Sequence, residues 1–132
     1  MTQKSLFPSW HKWMASRGYD PDNEVRSSTQ FTGTLVDIMG QTTHVGDYVI
    51  AEVVVPDNSG GSSLKLDVCR VIEYTEESSL ISGYKFPATF LVINTEGHVG
   101  RVESEFARID LDVNDYKTRL AMGMIPGKPT SS

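Results

Sequence analysis

Hydrophobic positions in this chain alternate more often than they recur at helical spacing, which predicts a mainly β protein. The clearest run follows a Gly46-Asp47 corner. From Tyr48 to Val55, Val49, Ala51, Val53 and Val55 fall on one face, and Tyr48, Ile50, Glu52 and Val54 on the other. Only Glu52 is charged, so the strand is expected to be covered on much of both faces. Gly46 supplies a backbone conformation other residues avoid and so aims the strand.

The remaining strands are read as partners for this one. Residues 31–39 read as a first strand and 40–43 as a turn. Residues 64–73 alternate, with Leu64, Leu66, Val68 and Ile72 on an apolar face and Lys65, Asp67, Cys69, Val71 and Glu73 opposite. Arg70 falls on the apolar face, which predicts either a bulge or a side chain reaching over a sheet end to a carboxylate. Residues 88–93 form a strand that Asn94-Thr95-Glu96-Gly97 turns into 98–102. Ser104 then caps one helical turn over 104–108, and 109–111 close the sheet. Between strands, 56–63 read as a mobile Gly/Ser hairpin tip. Residues 74–87 form a long polar connection broken by Leu80-Ile81, of a length that is often functional.

The ends differ from the middle. Phe7, Trp10, Trp13, Met14 and Arg17 share a helical spacing, Pro8-Ser9 suit a start and Gly18 an end, which predicts a short aromatic helix over 9–17. Such a helix cannot hold itself together in water. It docks on its own domain, or it waits for a partner or a second copy of the chain. Residues 112–124 read as a weak helix and 125–132 as a loose tail. The division is a 1–30 aromatic helix and linker, a 31–112 β domain and a 113–132 extension.

Composition narrows this picture. At 132 residues the chain holds one core, and eleven glycines with six prolines fit many turns. A net charge of −5 argues against generic phosphate-backbone binding. The basic strip open to a nucleic-acid reading is Arg70, Lys85, Arg101 and Arg108. The opposite reading is an acidic nucleic-acid mimic presenting Glu73, Glu76, Glu77, Glu103, Glu105, Asp110, Asp112 and Asp115 to a DNA-binding protein. One cysteine, Cys69, makes no intrachain disulfide, and three scattered histidines give no zinc spacing, so no metal or cofactor is expected. Residues 1–8 lack an apolar signal core and no apolar run approaches a membrane span. The expectation is a cytoplasmic protein in a reducing compartment with no membrane contact.

The motifs that would signal catalysis are missing. There is no nucleophile elbow, no His-x-x-x-His helix and no paired carboxylate in a predicted cleft, so no enzyme is expected. The Gly-rich loop is followed by a strand and has no Gly-Lys-[Ser/Thr], which removes a phosphate cradle. Gly97-His98-Val99-Gly100 matches the G-x-x-G of KH loops, but it lies in a hairpin rather than between helices. What remains is a protein-binding or assembly module. Its anchors are Trp10, Trp13 and Tyr19, since Trp and Tyr are enriched at interface centres.

Val45-Gly46-Asp47-Tyr48-Val49 at the entry, Cys69-Arg70-Val71-Ile72-Glu73 before the long connection, and Gly97-His98-Val99-Gly100-Arg101-Val102 ahead of Ser104-Glu105-Phe106-Ala107-Arg108-Ile109 follow one another as in a known class. Over residues 42–111 the order resembles SH3-like small barrels, including the KOW and Tudor-like groups. The resemblance implies five to six strands in a small barrel and sets a fold rather than a function. The chain departs from the class in having no aromatic cage readable from spacing and no basic loop over 57–63. In general style, a small acidic barrel with idiosyncratic ends, it also looks like accessory proteins of tailed bacteriophages, which implies a virion or host-cytoplasm setting.

Overall fold

The computed structural model describes residues 7–23 and 28–111. The expected C-terminal helix and tail, and part of the linker after the aromatic helix, lie outside these residues. The described chain is mainly β, with two helices, α1 (Trp10–Ser16) and α2 (Thr29–Thr32), ahead of nine strands. These are β1 (Thr34–Val36), β2 (Thr42–His44), β3 (Tyr48–Pro56), β4 (Ser62–Thr75), β5 (Ser78–Ser79), β6 (Lys85–Phe86), β7 (Thr89–Ile93), β8 (Val99–Val102) and β9 (Ala107–Ile109). No described helix is long and apolar enough to cross a membrane.

Five strands form one antiparallel sheet in the order β8-β7-β4-β3-β9, flanked by two-stranded sheets β1-β2 and β5-β6. Its edges, β8 and β9, are not paired with each other, so the sheets do not close into the barrel that the sequence predicted. They approach closure in another way. A Cβ at Gly100 on β8 would overlap the carbonyl oxygen of Glu52 on β3, so the sheet curls until these two backbones touch. The core fills this curl with Val49, Ala51 and Val53 of β3, Cys69 and Val71 of β4, and Phe90 and Val92 of β7. Phe106 closes it, its ring 5.6 Å from that of Phe90. Such an aromatic pair contributes about 0.5–1.5 kcal/mol beyond area burial.

β3 follows its sequence pattern on the inner face, where Val49, Ala51 and Val53 are fully buried. On the outer face Val54 is exposed, so the expected cover is missing near the hairpin tip. β4 overturns the predicted assignment of its faces. Leu64 and Leu66, read as core, are exposed, whereas Cys69 and Val71, read as the polar face, are fully buried. The even-numbered face turns outward, and Ile72 is buried there because Trp13 of α1 covers that part of the sheet. Beyond Val71 a bulge follows, with Val71 facing Val92 and Glu73 facing Leu91, leaving Ile72 as an extra residue. The bulge inverts the alternation, so Tyr74 packs inward while Ile72 joins Leu91 and Ile93 in a second cluster on the outer face. Burial, and then the Asp67 charge, push the Cys69 thiol up to about 12.

Two other segments differ from their predicted forms. Phe31 and Thr32, read as strand, lie in α2, where the Thr32 hydroxyl donates to the Ser28 carbonyl. Ala107 and Arg108, read as helical, belong to β9; Glu105 draws the Glu103 N–H to its carboxylate at 2.8 Å, and the Phe106 carbonyl accepts from Ile38 N–H.

The β1–β2 turn is fixed by one buried carboxylate. Asp37 accepts from the backbone N–H groups of Met39, Gln41 and Arg108 at 2.7–2.9 Å and from the Gln41 amide at 3.0 Å. Burial works against its charge, but these donors outweigh it and hold the carboxyl below its ordinary value.

Candidate partner-binding surface

The aromatic helix is built as its sequence dictates. Ser9 in extended conformation caps α1 by accepting from Lys12 N–H, and the chain leaves it through Gly18 at φ +83°. Seven residues do not make a stable helix alone, and α1 is held by the outer face of the five-stranded sheet. Phe7 meets Tyr48 in a tilted pair at 5.2 Å between centroids, Trp13 packs against the cluster of Ile72, Leu91 and Ile93, and Trp10 meets Phe31 edge to face at 5.7 Å.

One carboxylate fastens this assembly. Glu73 Oε2 accepts from Trp10 Nε1–H at 2.6 Å and from the Gln30 amide at 2.9 Å, while Oε1 lies 3.9 Å from the Arg101 guanidinium. Its side chain is 13% exposed, so the bonds form where water competes poorly.

The three predicted anchors therefore sit in different surroundings. Trp10, at 6% exposure, is engaged by the chain's own sheet. Trp13 is half-buried, with the Arg17 guanidinium 5.6 Å above its ring. Tyr19 is 55% exposed, past the helix end. The four basic residues of the nucleic-acid reading do not meet in one network. Arg101 on β8 donates to the Thr75 and Thr89 hydroxyls, and Arg108 on β9 donates to the Thr42 carbonyl and Gln41 Oε1. Lys85 is on β6, and Arg70 lies under α1 in a cleft with Trp10 and Phe31. The acids of the mimicry reading are likewise divided. Glu73 is engaged inward, Glu76 and Glu77 line an open cleft with Gln30 and Thr75, and Asp112 and Asp115 lie outside the described residues.

The predicted polar connection also has a form its pattern did not show. Among the described residues β5 and β6 pair only with each other, Ser78 opposite Phe86 and Ser79 opposite Lys85. Leu80 N–H donates to the Tyr84 carbonyl and Gly83 N–H to the Leu80 carbonyl, with Gly83 at φ +88°. The turn is thus ordered by its own backbone, yet it carries Leu80, Ile81, Tyr84 and Phe86 outward, Ile81 fully exposed. Tyr84 and Phe86 meet edge to face, their ring centroids 4.9 Å apart. The Leu80-Ile81 interruption was the signal for this surface in the sequence.

Among the described residues no group of three or more His, Cys, Asp or Glu side chains is placed to hold a metal ion. Comparison of the chain with protein-family models, with curated proteins and with solved structures gives no match.

Proposed function

We propose that the protein is a non-catalytic protein-binding or assembly module that docks through the β5–β6 hairpin. The observation that carries this is the exposure of Leu80, Ile81, Tyr84 and Phe86 on a turn whose backbone is already ordered. A two-stranded hairpin is marginal on its own, and a contiguous apolar tip in water marks a surface that another molecule covers. An ordered backbone also limits the entropy lost on binding. Around the hairpin, Glu76 and Glu77 stand against Lys85 alone, since Glu73 is engaged inward. That imbalance favours an apolar cleft rimmed by Lys and Arg as the partner surface, and disfavours both anionic lipid and a second copy of this acidic chain. Tyr19 stands as a secondary contact.

An SH3-like descent is part of this reading. The long β3–β4 hairpin, the connection, the β7–β8 hairpin and a last strand returning to β3 run in the order such barrels follow, here with the sheet open. A virion or host-cytoplasm setting rests on the likeness to phage accessory proteins and remains part of the proposal. The test is a variant with Leu80→Ser, Ile81→Ser, Tyr84→Ser and Phe86→Ser, run beside the parent by sedimentation in extract of the cells where the protein is made. We expect an unchanged Tm with loss of the larger species; a larger species that persists with Tm unchanged contradicts the reading.

A further inference from the structure

Arg70 stands out among the cations of the sheet. It lies on the outer face of β4, opposite Tyr48 on one side and Ile93 on the other. Its Nε–H is buried and has no hydrogen-bond partner. Among the described residues no carboxylate pairs with its guanidinium, whereas Arg101 and Arg108 both find acceptors. A buried donor without an acceptor opposes folding, so it needs an explanation beyond packing. Nor is a bulge at Arg70 the answer, since the register shift falls two residues later.

The two terminal guanidinium nitrogens are not buried in this way and are the groups a ligand can reach. Arg70 lines a cleft between α1, α2 and the Gly46 corner, together with Ser9, Trp10, His11 and Phe31. The Ser9 hydroxyl oxygen accepts from Lys12 N–H, which leaves its O–H free to donate. Two donors thus line the cleft, and the Trp10 and Phe31 rings supply apolar wall. We propose that this cleft binds a small oxyanion carried on an apolar group, the oxyanion on Arg70 and Ser9 and the apolar part against Phe31 and Trp10. The planar guanidinium fork suits a carboxylate or a phosphate monoester, the two sources of this chemistry. The site is independent of the β5–β6 hairpin and stands if that surface fails.

Trp10 lines this cleft and Trp13 lines a different one, so a Trp13→Phe protein reports on the site through Trp10 emission alone. Phenyl phosphate, benzoate and benzyl alcohol are titrated in turn. The expected result is a saturable change with an aromatic anion and none with the neutral alcohol; tighter phenyl phosphate assigns a phosphate monoester, tighter benzoate a carboxylate. Arg70→Met raises the Kd at least ten-fold while its Tm stays equal to or above the parent's. In the wild-type protein the Arg70 Nε–H NMR resonance, identified by its loss in Arg70→Met, shifts over the same titration. No saturable response to either anion, an Nε–H resonance that stays fixed, or an undiminished response in Arg70→Met overturns the proposal.

Discussion

Trp10 and Glu73, 63 residues apart in sequence, are joined by a 2.6 Å hydrogen bond from the indole N–H to the carboxylate. This bond, shared with Gln30, makes the N-terminal helix part of the sheet rather than a free appendage. Trp10→Phe keeps one aromatic ring and removes the donor together with the rest of the indole, so its loss includes packing as well as the bond. Hydrogen bonds to charged groups contribute about 1.5–3 kcal/mol. A loss of at least that size in urea unfolding is expected; no change would mean that the bond does not seat the helix.

Gly100 and Gly83 offer a matched comparison. At Gly100 a Cβ meets the Glu52 backbone, which cannot move without distorting β3, whereas at Gly83 the space is open and only the positive φ resists. Gly100→Ala is expected to destabilise by about 3 kcal/mol, the upper end for overpacking. Gly83→Ala should cost about 1–2 kcal/mol. Thermal unfolding of the two proteins side by side checks the order, and equal losses would refute the close approach of β8 to β3.

Acid should weaken the fold through Asp37 and Asp57. Burial opposes the Asp37 charge, but its N–H donors prevail, and the Ser59 hydroxyl and nearby backbone N–H groups act on Asp57, so both folded carboxyls lie below the ordinary 3.8. The unfolded chain binds these protons first as pH falls. The stabilisation is therefore complete above the ordinary value and is lost as pH drops through the folded values. Urea midpoints measured from pH 6 to pH 2 should fall toward acid, less steeply in Asp37→Asn; an equal slope would remove Asp37 from the account.

The Cys69 thiol is fully buried and held near 12, so at pH 8 it is protonated and shielded. Aromatic disulfide reagents should leave the folded protein untouched and titrate one thiol per chain in denaturant. Rapid reaction in the native state would contradict the assignment of β4 faces.

β3 and α1 were legible because their signals are local: an unbroken alternation with a Gly corner, and an aromatic stripe with Ser9 at its head. The faces of β4 were not. Ile72 is buried on the outer face under Trp13, a tertiary contact, so taking it as a core residue sent the whole even-numbered face inward; the bulge then shifts only the positions after Val71. Arg70 hinted at the irregularity, although the shift itself falls beyond it. Phe31 was drawn out of the first strand by its contact with Trp10, a tertiary effect that no local propensity carries. The Asp37 hub depends on donors four and 71 residues away, which spacing does not join. Leu80 and Ile81 did mark the connection as unusual, but two-residue strands leave no alternation to read.

The central claim is that the β5–β6 hairpin docks into an apolar cleft with a basic rim. The most direct measurement places a photo-cross-linking side chain at position 81, and in a second protein at position 59 on the β3–β4 turn, in extract of the cells where the protein is made. The account predicts one discrete adduct from position 81, none of the same mass from position 59, and loss of the first when Glu76→Lys and Glu77→Lys reverse the rim charge. The same adduct from both positions, or one indifferent to the charge reversal, would contradict it.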